Sequence, residues 1–198
     1  MTTTAVWVAL VAAAYLVGTF PSAIWIARTK NVDITTVGSG NPGAANIART
    51  LGMWWGVLVF VLDGLKGAIA GGIGLLALGR PLGWAMVAAS VVGHMFPATR
   101  RFRGGKGVAT MGGGSFVMFP LISTMMLALW ATTRRVSGKS SPASIAIVVC
   151  FPVAIAVAGA PIWEIVAVVA IDSLVLARHG ANIRRLLGGR ELPGSRSR

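Results

Sequence analysis

Sixteen of the 18 lysines and arginines fall into four clusters, and the stretches between the clusters carry almost no charge. The clusters are Arg28, Lys30 and Arg49; Arg100, Arg101, Arg103 and Lys106; Arg134, Arg135 and Lys139; and a tail of Arg178, Arg184, Arg185, Arg190, Arg196 and Arg198. Lys66 and Arg80 are the two left over. A cation at the centre of a bilayer costs about 2.5–3.5 kcal/mol, so the four of the second cluster would together cost about 10 kcal/mol or more and belong in water. The stretches between have the opposite character. Hydrophobic residues make up 55% of the 198 and charged residues 12%, where soluble domains carry roughly 25% charged residues. The expectation is one all-α integral membrane domain over residues 1–198.

The positive-inside rule places all four clusters in the cytoplasm, so each apolar stretch between them crosses an even number of times. Each has a helix breaker near its middle: Gly79-Arg80-Pro81 within 53–98, Pro120 within 107–133, and Gly159-Ala160-Pro161 within 140–177. The first segment, AVWVALVAAAYLVGTFPSAIWIA, has no basic region before it and no clear cleavage site, and reads as one retained crossing. The expected total is about seven transmembrane helices, N-terminus outside and C-terminus cytoplasmic. Two are expected to be short, because 107–133 leaves about thirteen residues per pass, ~20 Å of helix against a ~30 Å hydrocarbon core.

In a soluble protein a net charge of +13 would point to nucleic acid. Here it follows from cytoplasmic loops facing anionic headgroups. No helix-turn-helix or RNA-binding signature appears, and a single tyrosine offers no stacking platform. The lone cysteine, Cys150, sits in apolar sequence and reads as a packed thiol. No metal cluster is visible.

Three cytoplasmic motifs carry chemistry. VGSGNPGAANIARTLG (Val37–Gly52) contains G-x-G-x-x-G by chance. A membrane helix and a short polar linker precede it, not a strand, which excludes dinucleotide binding. Its glycine amides, with Ser39 and nearby asparagines, still suit an anion on which Arg49 closes as a planar fork. The alternative is a plain turn with a solvated arginine. HMFPATRRFRGGKGVATMGGG (His94–Gly114) lacks Walker A spacing but has its parts. Gly104, Gly105 and Gly107 can form a nest of amides, a helix starting near Val108 offers its positive end, and Lys106 adds a full charge. A topology anchor would need the cations but not the glycines. In ARHGANIRRLLGGRE (Ala177–Glu191), His179 sits where the last helix leaves the membrane. It is placed to orient a substrate oxygen or move its proton, and Asn182 shares its face if the helix continues. A polar cap is the alternative for His179. Asp63 and Lys66 in LDGLKGA are either a mutual ion pair or present a cation to a substrate phosphate. Glu164 and Asp172 carry no assignment.

Taken together, GSGNPGAANIARTLG, LDGLKG, GHMFPATRRFRGGKGVAT and RHGANIRRLLGGRE resemble the motif set of the bacterial acyl-phosphate:glycerol-3-phosphate acyltransferases, in that family's order and over about a third of the chain. The resemblance implies a seven-helix enzyme of the bacterial cell membrane with its motifs facing the cytoplasm. It would move a fatty acyl group from acyl phosphate to the sn-1 hydroxyl of glycerol 3-phosphate, releasing lysophosphatidic acid and phosphate. That is the first step of phospholipid synthesis, carried out among membrane lipids by a monomer with no cofactor, metal or nucleic acid. By motif match, Ser39, Asn46 and Arg49 would bind substrate. Gly104, Gly105, Lys106 and Gly107 would form the phosphate loop. His179 and Asn182 would complete the pocket with Ser137 or Ser140 of VSGKSS, and Lys66 is counted with the substrate-binding group. The chain departs from the family pattern at Ala45, where a threonine is usual, and at Ala181, where an acidic residue is usual. Each departure removes a polar contact.

An acyl phosphate is a mixed anhydride with a good leaving group and needs no protein nucleophile. The sequence offers no triad, and no H-x-x-x-x-D pair: Thr99 lies five residues past His94 and Arg184 five past His179. Direct attack by the glycerol hydroxyl is expected, with Lys106, Arg49 and the glycine amides holding two phosphates. Either His179 or a donor phosphate oxygen takes the proton. The competing class is a small-anion transporter. It would need a polar path across the membrane and usually an internal repeat, whereas only Asp63 and Lys66 lie deep.

Overall fold

The computed structural model describes residues 3–194, so Arg196 and Arg198 of the tail cluster lie outside the described residues. The described residues form helices α1 (Thr3–Gly18), α2 (Ser22–Arg28), α3 (Ala44–Leu51), α4 (Met53–Leu78), α5 (Arg80–Met95), α6 (Val108–Met118), α7 (Pro120–Ser137), α8 (Ser140–Val157), α9 (Ile162–Ala177) and α10 (Gly180–Leu187), with a 3-10 turn at Ala98–Arg100 and no strand.

The breaks fall where glycine and proline demand them. Gly79 turns left-handed (φ +84°) between α4 and α5. Phe119 leaves helical geometry (φ −139°) because the proline after it disfavours the α region. Gly159 (φ +80°) ends α8, and Pro161 caps α9. One break was not expected: Thr19–Pro21 divides the first segment into α1 and α2. The length expectation for 107–133 needs correction. α6 is short, at 11 residues, but α7 runs 18 residues. It continues through Arg134 and Arg135 to Gly138, whose left-handed φ of +65° finally stops it.

Four helical spans are long and apolar enough to cross a membrane by length and composition: Thr3–Arg28, Met53–Leu78, Arg80–Arg100 and Ser140–Val157. Their outer faces are apolar. On α4, Val57, Val61, Leu65, Ile69, Ile73 and Leu76 recur at three- or four-residue spacing and are all exposed. The buried face of the same helix includes Gly56, Gly67, Gly71 and Gly74. A Cβ on Gly67 would run into the Thr110 carbonyl of α6, and one on Gly113 into the Gly64 carbonyl. α4 and α6 therefore meet backbone to backbone, as small residues permit in lipid. The main core joins α5, α6, α8 and α9 through Trp84, Val91, Met111, Phe151, Ile171 and Val175.

The pairs α4–α5, α6–α7 and α8–α9 each leave one end of the bundle and return to it. All four cation clusters meet at that end. Arg49 bonds the Pro193 carbonyl, Lys106 bonds Asn182, Arg178 bonds Gly104, and the Gly194 amide bonds the Gly138 carbonyl beside Lys139. The opposite end holds Arg80, whose Nε donates to Glu164 Oε1 at 2.5 Å while Trp84 Nε1 donates to the same oxygen at 2.7 Å.

Candidate active site

The glycine loop before α6 is gripped from outside. Arg178, at the C-cap of α9, donates from Nη2 to the Gly104 carbonyl (2.9 Å) and from Nε to the Gly105 carbonyl (3.3 Å). The Gly105 amide donates to the His94 carbonyl at 3.1 Å, and any side chain at Gly105 would strike His94 Nε2. Gly107 takes φ +84° and caps α6. The first-turn amides of a helix have no partner within it. Gly107, Val108 and Ala109 present that end of α6 to a cavity of about 110 Å³. Lys106, His179, Ser140 and Ser141 also line this headgroup cavity.

Lys106 Nζ donates to Asn182 Oδ1. Asn182 is aimed in turn. Its Nδ2 donates to Ser141 Oγ and to Glu191 Oε1, both at 2.7 Å. Because a carboxylate only accepts, this fixes the amide with its oxygen toward Lys106. Ser141 Oγ donates to the same Glu191 oxygen at 2.5 Å, and Arg185 Nε to the other at 2.9 Å. Burial pushes the Glu191 carboxyl up, but the hydrogen bonds from Ser141, Asn182 and Arg185 outweigh it and hold the group below its ordinary range. Burial lowers the Lys106 ammonium to about 8, against the pull of Glu191 and with the push of Arg185, Arg49 and Arg178.

His179 is 3% exposed and caps α10, because the chain turns between α9 and α10 instead of continuing as one helix. Its Nδ1 lies 2.8 Å from the Val175 carbonyl. A carbonyl only accepts, so Nδ1 carries the hydrogen and Nε2 is left as an acceptor. Burial, and then the Lys106 charge, depress the imidazole to about 4.

The first loop reaches the cavity through Asn41, Gly43, Ala44 and Ala45. Asn46 lies outside this lining and is bonded within the loop: Nδ2 donates to the Ile34 and Val37 carbonyls, while Oδ1 accepts from the Ser39 amide (3.0 Å) and Arg49 Nη1 (3.3 Å). Ser39, Arg49, Gly104, Gly105 and Asn182 likewise lie outside the cavity lining. Lys66 also lies outside this lining; its ammonium bonds the Phe20 carbonyl and Asp63 Oδ1, each at 2.6 Å. The Phe20 carbonyl lies at the break between α1 and α2, where it also accepts from the Ser22 amide. Of the two candidate serines, Ser140 lines the cavity and Ser137 is exposed. Ser141 and Glu191 went unnoticed in the sequence; a lone acid within a run of arginines was the available signal for Glu191.

A second, apolar cavity of about 270 Å³ adjoins the first, sharing Phe60, Val108, Ala109 and Trp130 with it. It continues between α4, α6, α7 and α8 as far as Asp172 of α9.

The family described as glycerol-3-phosphate acyltransferase matches residues 8–189. The glycerol-3-phosphate acyltransferase of Aquifex aeolicus is 40% identical, over 92% of this chain and 96% of its own length; that of Rubrobacter xylanophilus is 38% identical, over 93% of each. The fold is similar to two crystal structures of PlsY (YgiH), an integral membrane glycerol 3-phosphate acyltransferase. The glycerol 3-phosphate form superposes with a TM-score of 0.91 and the lysophosphatidic acid form with 0.89, each at 39% identity over 94% of both chains. With nearly its whole length matched in sequence and in fold, the chain belongs to the glycerol-3-phosphate acyltransferase family.

Proposed function

We propose that this chain is a glycerol-3-phosphate acyltransferase of the bacterial membrane that uses acyl phosphate as donor and releases lysophosphatidic acid and inorganic phosphate. One observation carries the reading: a cavity lined by Lys106 and the first-turn amides of α6 adjoins an apolar groove across Phe60, Val108, Ala109 and Trp130. That junction suits a reaction that joins a phosphate-bearing alcohol to a hydrocarbon tail, and an apolar groove does not suit ion passage. The solved PlsY forms, named for glycerol 3-phosphate and lysophosphatidic acid, support the same substrate and product.

Lys106 and the first-turn amides of α6 hold the donor phosphate and stabilise charge on it. Arg49, held by Asn46 and the Pro193 carbonyl, offers its remaining N–H groups to the phosphate of glycerol 3-phosphate, Ser140 lines the space between, and the acyl tail lies in the groove. His179 Nε2 accepts a hydrogen bond from the attacking hydroxyl and orients it. An imidazole near 4 is a weak base at neutral pH, so the proton passes to a donor phosphate oxygen. The hydroxyl oxygen bonds to the acyl carbon, the bond from that carbon to the phosphate oxygen breaks, and phosphate leaves with the proton. Residues 1–198 act as a single seven-crossing domain and as a monomer, N-terminus outside, with the pocket on the cytoplasmic face where the cations gather.

Purified protein supplied with palmitoyl phosphate and glycerol 3-phosphate forms lysophosphatidic acid, and palmitoyl-CoA does not replace the donor. Product from the thioester alone would overturn the donor assignment, and no product from either would overturn the reaction. A cysteine placed at Lys139 reacts with an impermeant maleimide in inside-out vesicles and not in right-side-out ones.

A further inference from the structure

Asp172 takes no part in the headgroup cavity. It is 4% exposed on α9, and its Oδ2 meets no hydrogen-bond partner. Ser123 of α7 is equally buried, with Oγ in the same condition. The other buried carboxylates are served: Asp63 by Ser22 and Lys66, Glu164 by Arg80 and Trp84, and Glu191 by Ser141, Asn182 and Arg185. Asp172 and Ser123 instead line the apolar groove, together with Ser115 of α6. An ionisable side chain is expensive to keep inside a membrane domain and marks a functional position.

Sequence spacing relates the three polar residues to the headgroup cavity. Ser115 is seven residues from Val108, Ser123 seven from Trp130, and Asp172 seven from His179. Val108, Trp130 and His179 all line the headgroup cavity. Seven residues make about two turns, so Ser115 on α6 and Ser123 on α7 each lie on nearly the same side of the helix as the partner residue and ~10 Å along the axis; α9 ends at Ala177, which puts Asp172 within the last two turns of α9 before His179. An extended hydrocarbon chain with bonds of ~1.5 Å advances ~1.3 Å per carbon, so ~10 Å is about eight carbons.

We propose that this depth of the groove is a hydrogen-bonding station for acyl donors that carry a hydroxyl group about eight carbons beyond the carbonyl, with Asp172 accepting from the hydroxyl and Ser123 hydrogen-bonding to its oxygen. The inference rests on the acyl-transfer reading above. A plain chain that passes the station leaves both groups dry and unpaired, and a hydroxyl at the right carbon pairs them. A site built to bond a hydroxyl discriminates against a chain without one far more sharply than an apolar wall discriminates one methylene.

The test is a competition in one tube. Full-length protein with glycerol 3-phosphate receives equal amounts of palmitoyl phosphate and its 3-hydroxy, 9-hydroxy and 15-hydroxy derivatives, and the lysophosphatidic acids are counted by mass spectrometry with chromatographic separation of isomers. The product ratio reads relative kcat/KM whatever fraction of the enzyme is folded. The 9-hydroxy product is expected to exceed both isomers by about tenfold or more, and Asp172→Leu to bring the ratio to within about threefold of unity. Ser123→Ala shrinks the ratio less, and carries the test should Asp172→Leu fail to fold. Equal use of the isomers by the unaltered protein, or a preference that survives these substitutions, would overturn the station. Product from unsubstituted palmitoyl phosphate reports separately on acyl transfer: its absence sinks that reading, while its presence with indifferent isomers sinks the station alone.

Discussion

Lys106 and Asn182, 76 residues apart in the chain, share a hydrogen bond at the wall of the headgroup cavity. The contact joins the glycine loop to the tail. Glu191 sets Asn182, Asn182 sets the ammonium, and the ammonium stands beside the open end of α6. Glu191 only accepts and the ammonium only donates, so the Asn182 amide between them has one orientation, and the cavity is pre-set before an anion enters it.

The Lys106 ammonium titrates at about 8 in the unliganded protein. An amine is charged below its pKa, so kcat/KM should fall as pH rises through about 8, where the neutral amine no longer attracts phosphate. Lys106→Ala should lower kcat/KM by about 100-fold or more at pH 7 with helicity unchanged. In Lys106→Arg the residual activity should lose that alkaline limb, because the guanidinium stays charged. Rate profiles against pH for the three proteins check this.

Glu191 tests the tail. Its folded carboxyl lies below the ordinary value of 4.5. Its stabilising contribution is therefore present above about 4.5 and lost as pH falls through the folded value. Glu191→Ala should remove that acid-dependent part of the detergent melting curve, destabilise the protein by about 1–3 kcal/mol and depress kcat, since Asn182 and Arg185 lose their acceptor. Glu191→Gln should retain part of the activity.

Two glycines of α4 form a matched pair. Gly67 touches the Thr110 carbonyl, whereas a Cβ on Gly72 would meet nothing within 4 Å. Gly67→Ala should cost about 1–3 kcal/mol by forcing α4 and α6 apart. Gly72→Ala should leave the melting temperature unchanged or slightly raised. Thermal unfolding of both in one detergent decides it.

At the far end, Arg80→Met strips Glu164 of its cation and leaves it with Trp84 alone. Arg80 is 37% exposed by side chain while Glu164 is buried. The expected loss is therefore about 2–3 kcal/mol, below the ~3–5 kcal/mol of a fully buried broken pair. Arg80→Met with Glu164→Leu should recover most of it, and lysophosphatidic acid formation should change little in either.

The helix ends at residues 79–81, 119–120 and 159–161 were legible because glycine and proline act on the backbone whatever surrounds them. The break at Thr19–Pro21 has a proline too, but apolar sequence continues on both sides and reads as one span. Lys66 could not be assigned without that break, since its partner is the carbonyl at the break. Asn46 illustrates a different limit. A residue that builds an anion loop and one that touches the anion have the same composition and spacing, and the bonds to Ile34 and Val37 that brace the loop are not legible in them. Glu191 reads as one acid among arginines, because its partner Ser141 lies 50 residues away.

Arg49 donates to the carbonyl of Pro193, 144 residues later. Translation must therefore carry residue 193 clear of the ribosome before the first loop acquires its closing contact. Until then a nascent chain already threaded into the bilayer holds an unfinished anion pocket, so chemistry on lipid precursors waits until residue 193 has been made.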